Sequence, residues 1–181
     1  MTESLVPDVL TPCSPAEFVE ALSDAWPALM GGEVPTRATL LTVASQWALE
    51  TGWGHAMHCN NVANRKYVPG CGHDYTMFPC GETENGVNVM HYPPDPVCRF
   101  VAYDSLEAGV VDYLIHFRAE FRAAWPAIEA GDPAAFGHAL KLARFYTAPE
   151  EQYTATLVGC YHRLATIIPA PTDPAPPTDA A

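Results

Sequence analysis

A carboxylate is normally placed where water can reach it, but Glu50 follows the apolar stretch Gln46-Trp47-Ala48-Leu49 and precedes the glycine-punctuated turn Thr51-Gly52-Trp53-Gly54. A half-buried glutamate beside aromatic rings has a raised pKa. That is the property a general acid needs to protonate a glycosidic oxygen near neutral pH. The alternative from spacing alone is an ordinary solvated glutamate at a helix end, since exposed Glu is common. A second cluster of reactive side chains lies between Trp53 and Arg99: His58, Cys59, Cys71, His73, Cys80, His91 and Cys98. These hold enough soft ligands for a structural zinc site. Such sites usually come as tight cysteine pairs, and none is present, so disulfides are expected and no metal. Cys13 and Cys160 fall on the first and last helical segments and are placed to staple them. The four lobe cysteines, Cys59, Cys71, Cys80 and Cys98, allow three pairings.

The elements that must position these groups are mostly helical. Ser14-Pro15-Ala16-Glu17 has the form of a capping box with proline at the first helical position, and Phe18, Leu22, Trp26 and Leu29 follow at helical spacing. A second helix begins after Pro35-Thr36, carries Leu40, Leu41, Ala44, Trp47 and Ala48, and ends where Gly52 and Gly54 interrupt it, which puts Glu50 at its C-terminal end. From about 54 to 99 the helical period disappears and Gly, Pro, Asn and Cys accumulate. This reads as an irregular lobe with a small hairpin. Further helices are expected after Asp104-Ser105-Leu106-Glu107, after Asp132-Pro133, and after Thr147-Ala148-Pro149-Glu150. The resulting division is an N-terminal extension over 1–12, one domain over 13–168, and a disordered Pro/Ala-rich tail over 169–181.

Composition limits the partners. Nine basic residues against 21 acidic ones leave a formal charge of −12, which excludes the basic stripe that nucleic acid or an anionic membrane attracts. No apolar run approaches the roughly 20 residues of a membrane span, and the N-terminus shows no Sec-type leader. Six cysteines nonetheless point to an oxidising compartment, reached by another route. A monomer without cofactor is expected.

The run Ala48-Leu49-Glu50-Thr51-Gly52-Trp53-Gly54, followed by Asn60-Asn61-Val62-Ala63-Asn64, resembles the catalytic segment of glycoside hydrolase family 73. The family usually has leucine-phenylalanine-glycine where Val62-Ala63-Asn64 stands. Arg99-Phe100-Val101-Ala102-Tyr103-Asp104-Ser105 resembles its return from lobe to helix, and Phe145 to Tyr153 its late tyrosine motif. The matches occur in the family's order over roughly residues 40 to 160. The resemblance implies a mainly α (α+β) fold, a lysozyme-like helical domain with a small irregular or β-hairpin lobe stapled by disulfides. It also implies cleavage of peptidoglycan glycan strands at the β-1,4 bond between N-acetylglucosamine and N-acetylmuramic acid.

By the same resemblance Glu50 is the general acid. Cys80-Gly81-Glu82-Thr83-Glu84-Asn85-Gly86 places Glu82 where the family keeps its second carboxylate, with Glu84 next in line and Asp74 or Asp95 more distant. Tyr146 is expected in the cleft, with Trp53, Asn60, Asn61 and Glu84 binding substrate. A muramidase or lytic transglycosylase on the same fold is the nearest alternative, and a non-catalytic wall-binding module the alternative of a different class. Acidic charge, no leader and the cysteines suit an antibacterial effector, whose producer needs an immunity protein, or a phage lysin.

Overall fold

The computed structural model describes residues 3–84 and 87–170, with Thr83 and Glu84 described by their backbone alone. Six helices form the body: α1 (Pro15–Leu29), α2 (Arg37–Glu50), α3 (Leu106–Glu120), α4 (Trp125–Glu129), α5 (Pro133–Leu142) and α6 (Glu150–Ile167). Their starts follow from capping chemistry. Ser14 Oγ accepts from the Glu17 amide at 3.3 Å while Glu17 Oε2 accepts from the Ser14 amide at 2.8 Å, which satisfies two of the donors a helix start leaves open. Thr36, Ser105 and Asp132 cap α2, α3 and α5 by the N-cap half of that exchange alone, each accepting from a first-turn amide, whereas α6 starts behind Pro149 without a side-chain cap.

The second helix is the centre of the body. Every residue from Leu41 to Ala48 is buried, the polar Thr42, Ser45 and Gln46 included, and a helix buried around its circumference must be wrapped by others. It packs against α1 and α6, with α3 on the far side of α1 and α5 on α6. Trp47 and Phe18 are fully buried and stack with centroids 4.4 Å apart, while Phe117 meets Phe121, Phe136 and Phe145 across the α3–α5 side. Truncating a ring such as Trp47 would cost about 3 to 5 kcal/mol in a core packed this closely. The short α4, Trp125–Glu129, is an element that the sequence pattern does not announce.

The lobe holds two antiparallel two-stranded sheets: β1 (Tyr75–Met77) with β4 (Arg99–Val101), and β2 (Cys80–Glu84) with β3 (Val87–His91). No ladder joins one to the other among the described residues. The segment expected as an extension over 1–12 is, from Glu3 on, part of the lobe. Leu5 bridges to Tyr75 and Leu10 to His58, and the Glu3 carboxylate accepts from the Tyr67 hydroxyl and the Gly70 and Gly72 amides. The tail beyond residue 170 lies outside the described residues.

One expectation needs correction. All six cysteines, Cys13, Cys59, Cys71, Cys80, Cys98 and Cys160, are free thiols, so no disulfide staples the lobe or ties the first helical segment to the last. Other bonds do that work. Asp112 on α3 accepts from Arg65, from the Tyr103 hydroxyl and, at 3.2 Å, from His73, which ties the lobe to the helical body. The histidines of the lobe are likewise spread over separate carboxylates: His58 on Asp8 at 2.7 Å and His91 on Asp95 at 2.9 Å. Among the described residues no three metal-ligating side chains converge.

Candidate active site

Glu50 is the last residue of α2, and the turn after it is built to hold it there. Thr51 is buried, donates its hydroxyl to the Trp47 carbonyl at 2.7 Å and accepts from the Gly54 amide at 2.9 Å. Gly54 has φ +78° and runs so close to Cys13 that an added Cβ would sit 2.0 Å from the Cys13 carbonyl oxygen. Only glycine fits. Asn64, also at positive φ (51°), donates its side-chain amide to the Glu50 carbonyl at 2.8 Å. The position where the related motif carries glycine therefore keeps a left-handed residue here, of the type that tolerates it best after glycine.

Burial raises the Glu50 pKa above the ordinary carboxylate value. The Tyr153 hydroxyl, 3.4 Å from Oε1, and the neighbouring Gln46 amide act in the opposite sense and are outweighed. Gln46 is itself fixed by the Tyr113 hydroxyl, which donates to its Oε1 at 2.8 Å. The acid thus sits among phenolic groups. Tyr113 and Tyr153 both have their own pKa values pushed up, by burial first and then by the Glu50 charge.

The Glu50 side opens on a cleft of about 460 Å³ lined also by His58, Asn64, Lys66, Phe78, Cys80, Glu82 and Phe100. Glu82 reaches it from β2, where side chains alternate and Cys80 and Glu82 share a face. Its Oε1 lies 2.6 Å from Lys66 Nζ. Phe78, Phe100 and His58 form a stack beneath, with centroid separations of 4.1 Å on both sides of Phe78. A half-buried acid, a second carboxylate on a separate element, and a floor of rings form an arrangement that suits acid-assisted cleavage of a sugar acetal.

The structure brings Glu50 and Glu82 together and separates them from several other candidates. Trp53, at φ +63°, turns away from the cleft and lies under the Arg163 guanidinium, 4.3 Å from ring centroid to Cζ, in a different cavity of about 630 Å³ with Cys13, Glu17 and His55. Asn60 and Asn61 are backbone clamps. Asn60 donates to the Tyr103 carbonyl at 3.0 Å, and buried Asn61 donates to the Arg65 and Val101 carbonyls and accepts from the Arg65 amide. Tyr146 donates to the Gly137 carbonyl at 3.0 Å and stacks on Tyr153 at 3.7 Å, so it backs the tyrosine that touches Glu50. Asp74 accepts from the Ser4 amide in another cavity, and Asp95 caps the turn Pro96–Cys98. The Glu84 side chain lies outside the described residues. Sequence reasoning missed Tyr153, Lys66 and Asn64. Tyr153 ends the late tyrosine motif, and its position one helical turn into α6 was the available signal.

Comparison with solved structures gives the same architecture. No family model and no curated protein matches the sequence. The fold is similar to the glycoside hydrolase domain of FlgJ from Salmonella typhimurium, at 21% identity and TM-score 0.56 over 84% of this chain and 99% of that one. It is similar to a peptidoglycan hydrolase mutant from Sphingomonas sp. A1, at 24% identity and TM-score 0.59 over 86% of this chain and 100% of that one. The catalytic domain of the autolysin Auto from Listeria monocytogenes matches at 16% identity and TM-score 0.54, over 86% and 87%. The chain has the fold of these hydrolase domains, as the resemblance to glycoside hydrolase family 73 implied.

Proposed function

We propose that the chain is a peptidoglycan glycosidase that cleaves the β-1,4 bond on the N-acetylglucosamine side, an endo-β-N-acetylglucosaminidase. The observation that carries this reading is Glu50, a carboxyl raised above its ordinary pKa by burial and opening on the same cleft as Glu82. Protonated Glu50 gives its proton to the glycosidic oxygen as the bond to the anomeric carbon breaks. Glu82 faces the positive charge that develops there and receives the proton of the water that adds to that carbon, while the Phe78 and Phe100 rings offer an apolar floor to the sugar. Such interactions accelerate the reaction because they are stronger in the transition state than with bound substrate.

Peptidoglycan lies outside the cytoplasmic membrane, so this reading requires delivery there. An injected antibacterial effector, with an immunity protein that plugs the cleft in its producer, or a phage lysin would meet that requirement. The acidic chain, at formal charge −12, leaves wall recognition to the cleft and not to a basic surface. Clearing of a purified cell-wall suspension tests the activity. The native chain is expected to clear it, and Glu50→Gln and Glu82→Gln to fail at equal concentration. A native chain that binds walls without clearing them would leave a wall-binding module in place of the enzyme.

A further inference from the structure

Among the described residues the hairpin that carries Glu82 has no ladder to the rest of the lobe, yet Glu82 must be held at a fixed place relative to Glu50. Cys80 reaches the Val97 carbonyl and His91 reaches Asp95, but the contact that holds the Glu82 carboxylate itself is Lys66. Its backbone is bridged to Phe100 on β4, its stem carries the ammonium 4.0 Å from the Phe100 ring centroid, and Nζ donates to Glu82 Oε1 at 2.6 Å, to the Val97 carbonyl at 2.7 Å and to Cys80 Sγ at 3.4 Å. An ammonium has three N–H donors, and three acceptors take them. Two of these, Glu82 and Cys80, sit on the cleft face of β2, and the third lies on the turn leading to β4. We propose that Lys66 is a positioning residue, the tie that holds the β2–β3 hairpin, and with it Glu82, in register with Glu50.

Two other roles fit less well. With every donor used inside the protein, Lys66 has none left for a substrate carboxylate. As a stabilising ion pair it would contribute little, because its side chain is 43% exposed and that of Glu82 39%, and solvent screens pairs so exposed. Geometry is what the contact set supplies, and small misplacements of reacting groups are expensive in rate.

The inference rests on the hydrolytic reading, so the test separates the two. Lys66→Met keeps the stem over Phe100 and the backbone bridge but removes all three donors, and Lys66→Arg keeps donors. Lys66→Met is expected to lower kcat roughly 10 to 100-fold with KM within about twofold, Lys66→Arg to recover most of the loss, and Lys66→Met placed in Glu82→Gln to cost less than about twofold more, because both act through one group. Hydrogen exchange of amides over Cys80 to Glu84 is expected to quicken in Lys66→Met while α2 is unchanged. Wild-type kcat in Lys66→Met, a raised KM at unchanged kcat, a full additional loss in the Glu82→Gln background, or unaltered hairpin exchange would each overturn the proposal. Faster hairpin exchange combined with a fully active Glu82→Gln would leave Lys66 as the hairpin's tie and remove the role of Glu82 in the reaction.

Discussion

The Tyr153 hydroxyl, on the last helix, lies 3.4 Å from Glu50 Oε1 at the end of the second, so two segments about a hundred residues apart meet at one carboxyl group. A phenol donating to a carboxylate favours its charged form, and here it opposes the larger effect of burial. Tyr153→Phe removes that opposition, so the Glu50 pKa should rise further. A general acid works while protonated, and the alkaline limb of the pH-rate profile should therefore move to higher pH. A limb that stays in place or moves down would show that Glu50 is not the group titrating there.

The same burial makes Glu50 a cost to stability. Its folded pKa lies above the ordinary value of 4.5, so the native state holds a proton that the unfolded chain releases as pH rises. Stability attributable to this group is greatest below about pH 4.5 and declines as pH rises through the folded value. Glu50→Gln should accordingly melt higher than the native chain at pH 7, with the difference vanishing at acid pH. Thermal melts at pH 7 and pH 4 check this, and a lower melting temperature for Glu50→Gln at pH 7 would contradict it.

Asp112 behaves in the opposite sense. Burial alone would raise its pKa, but the Tyr103 hydroxyl and the Arg65 guanidinium more than offset that and hold it low. Its contribution is present above the ordinary value of 3.8 and is lost as pH falls through the lowered folded one. Asp112→Asn should cost about 2 kcal/mol at pH 7, on the scale of breaking a partly buried pair, and progressively less below pH 3.8. Urea unfolding measures it. A change under about 0.5 kcal/mol would mean that the lobe is anchored elsewhere.

Sequence spacing left three pairings open for the lobe cysteines, and the structure distinguishes among them. Cys80 Sγ is 3.6 Å from the carbonyl of Val97, the residue before Cys98, and after burial the neighbouring Cys80 thiol is what raises the Cys98 pKa. Treatment with oxidised glutathione, which takes up the two electrons and two protons, should therefore form a Cys80–Cys98 disulfide first. Peptide mapping that finds Cys59 or Cys71 paired before it would contradict this placement.

The helical body was readable because its signals are local. The Ser14 capping box, the apolar spacing of the second helix and the glycine turn after Glu50 each act within a few residues, and each formed where the spacing put it. Trp53 is placed apart from the acid, and proximity in sequence says nothing of side-chain direction. Two glycines and a left-handed backbone swing it onto Arg163 instead. Asn61 binds the Val101 carbonyl 40 residues ahead, a partner that no motif names. The segment from Glu3 joins the lobe through backbone bridges and through side chains such as Glu3 and Asp8 whose partners lie 50 or more residues away, which no local pattern announces, and α4 is too short for a helical period to show.

The most direct test of the account is mass spectrometry of the fragments released from purified peptidoglycan by the native chain and by Glu50→Gln. The native chain is predicted to release muropeptides with N-acetylglucosamine at the reducing end, and Glu50→Gln, which keeps the volume but has no proton to transfer, to release them at least about a hundredfold more slowly. Reducing-end muramic acid would make the chain a muramidase, and anhydro ends a transglycosylase working with Glu50 alone. Glu50→Gln retaining more than about a tenth of native turnover would contradict the central claim that this residue is the acid.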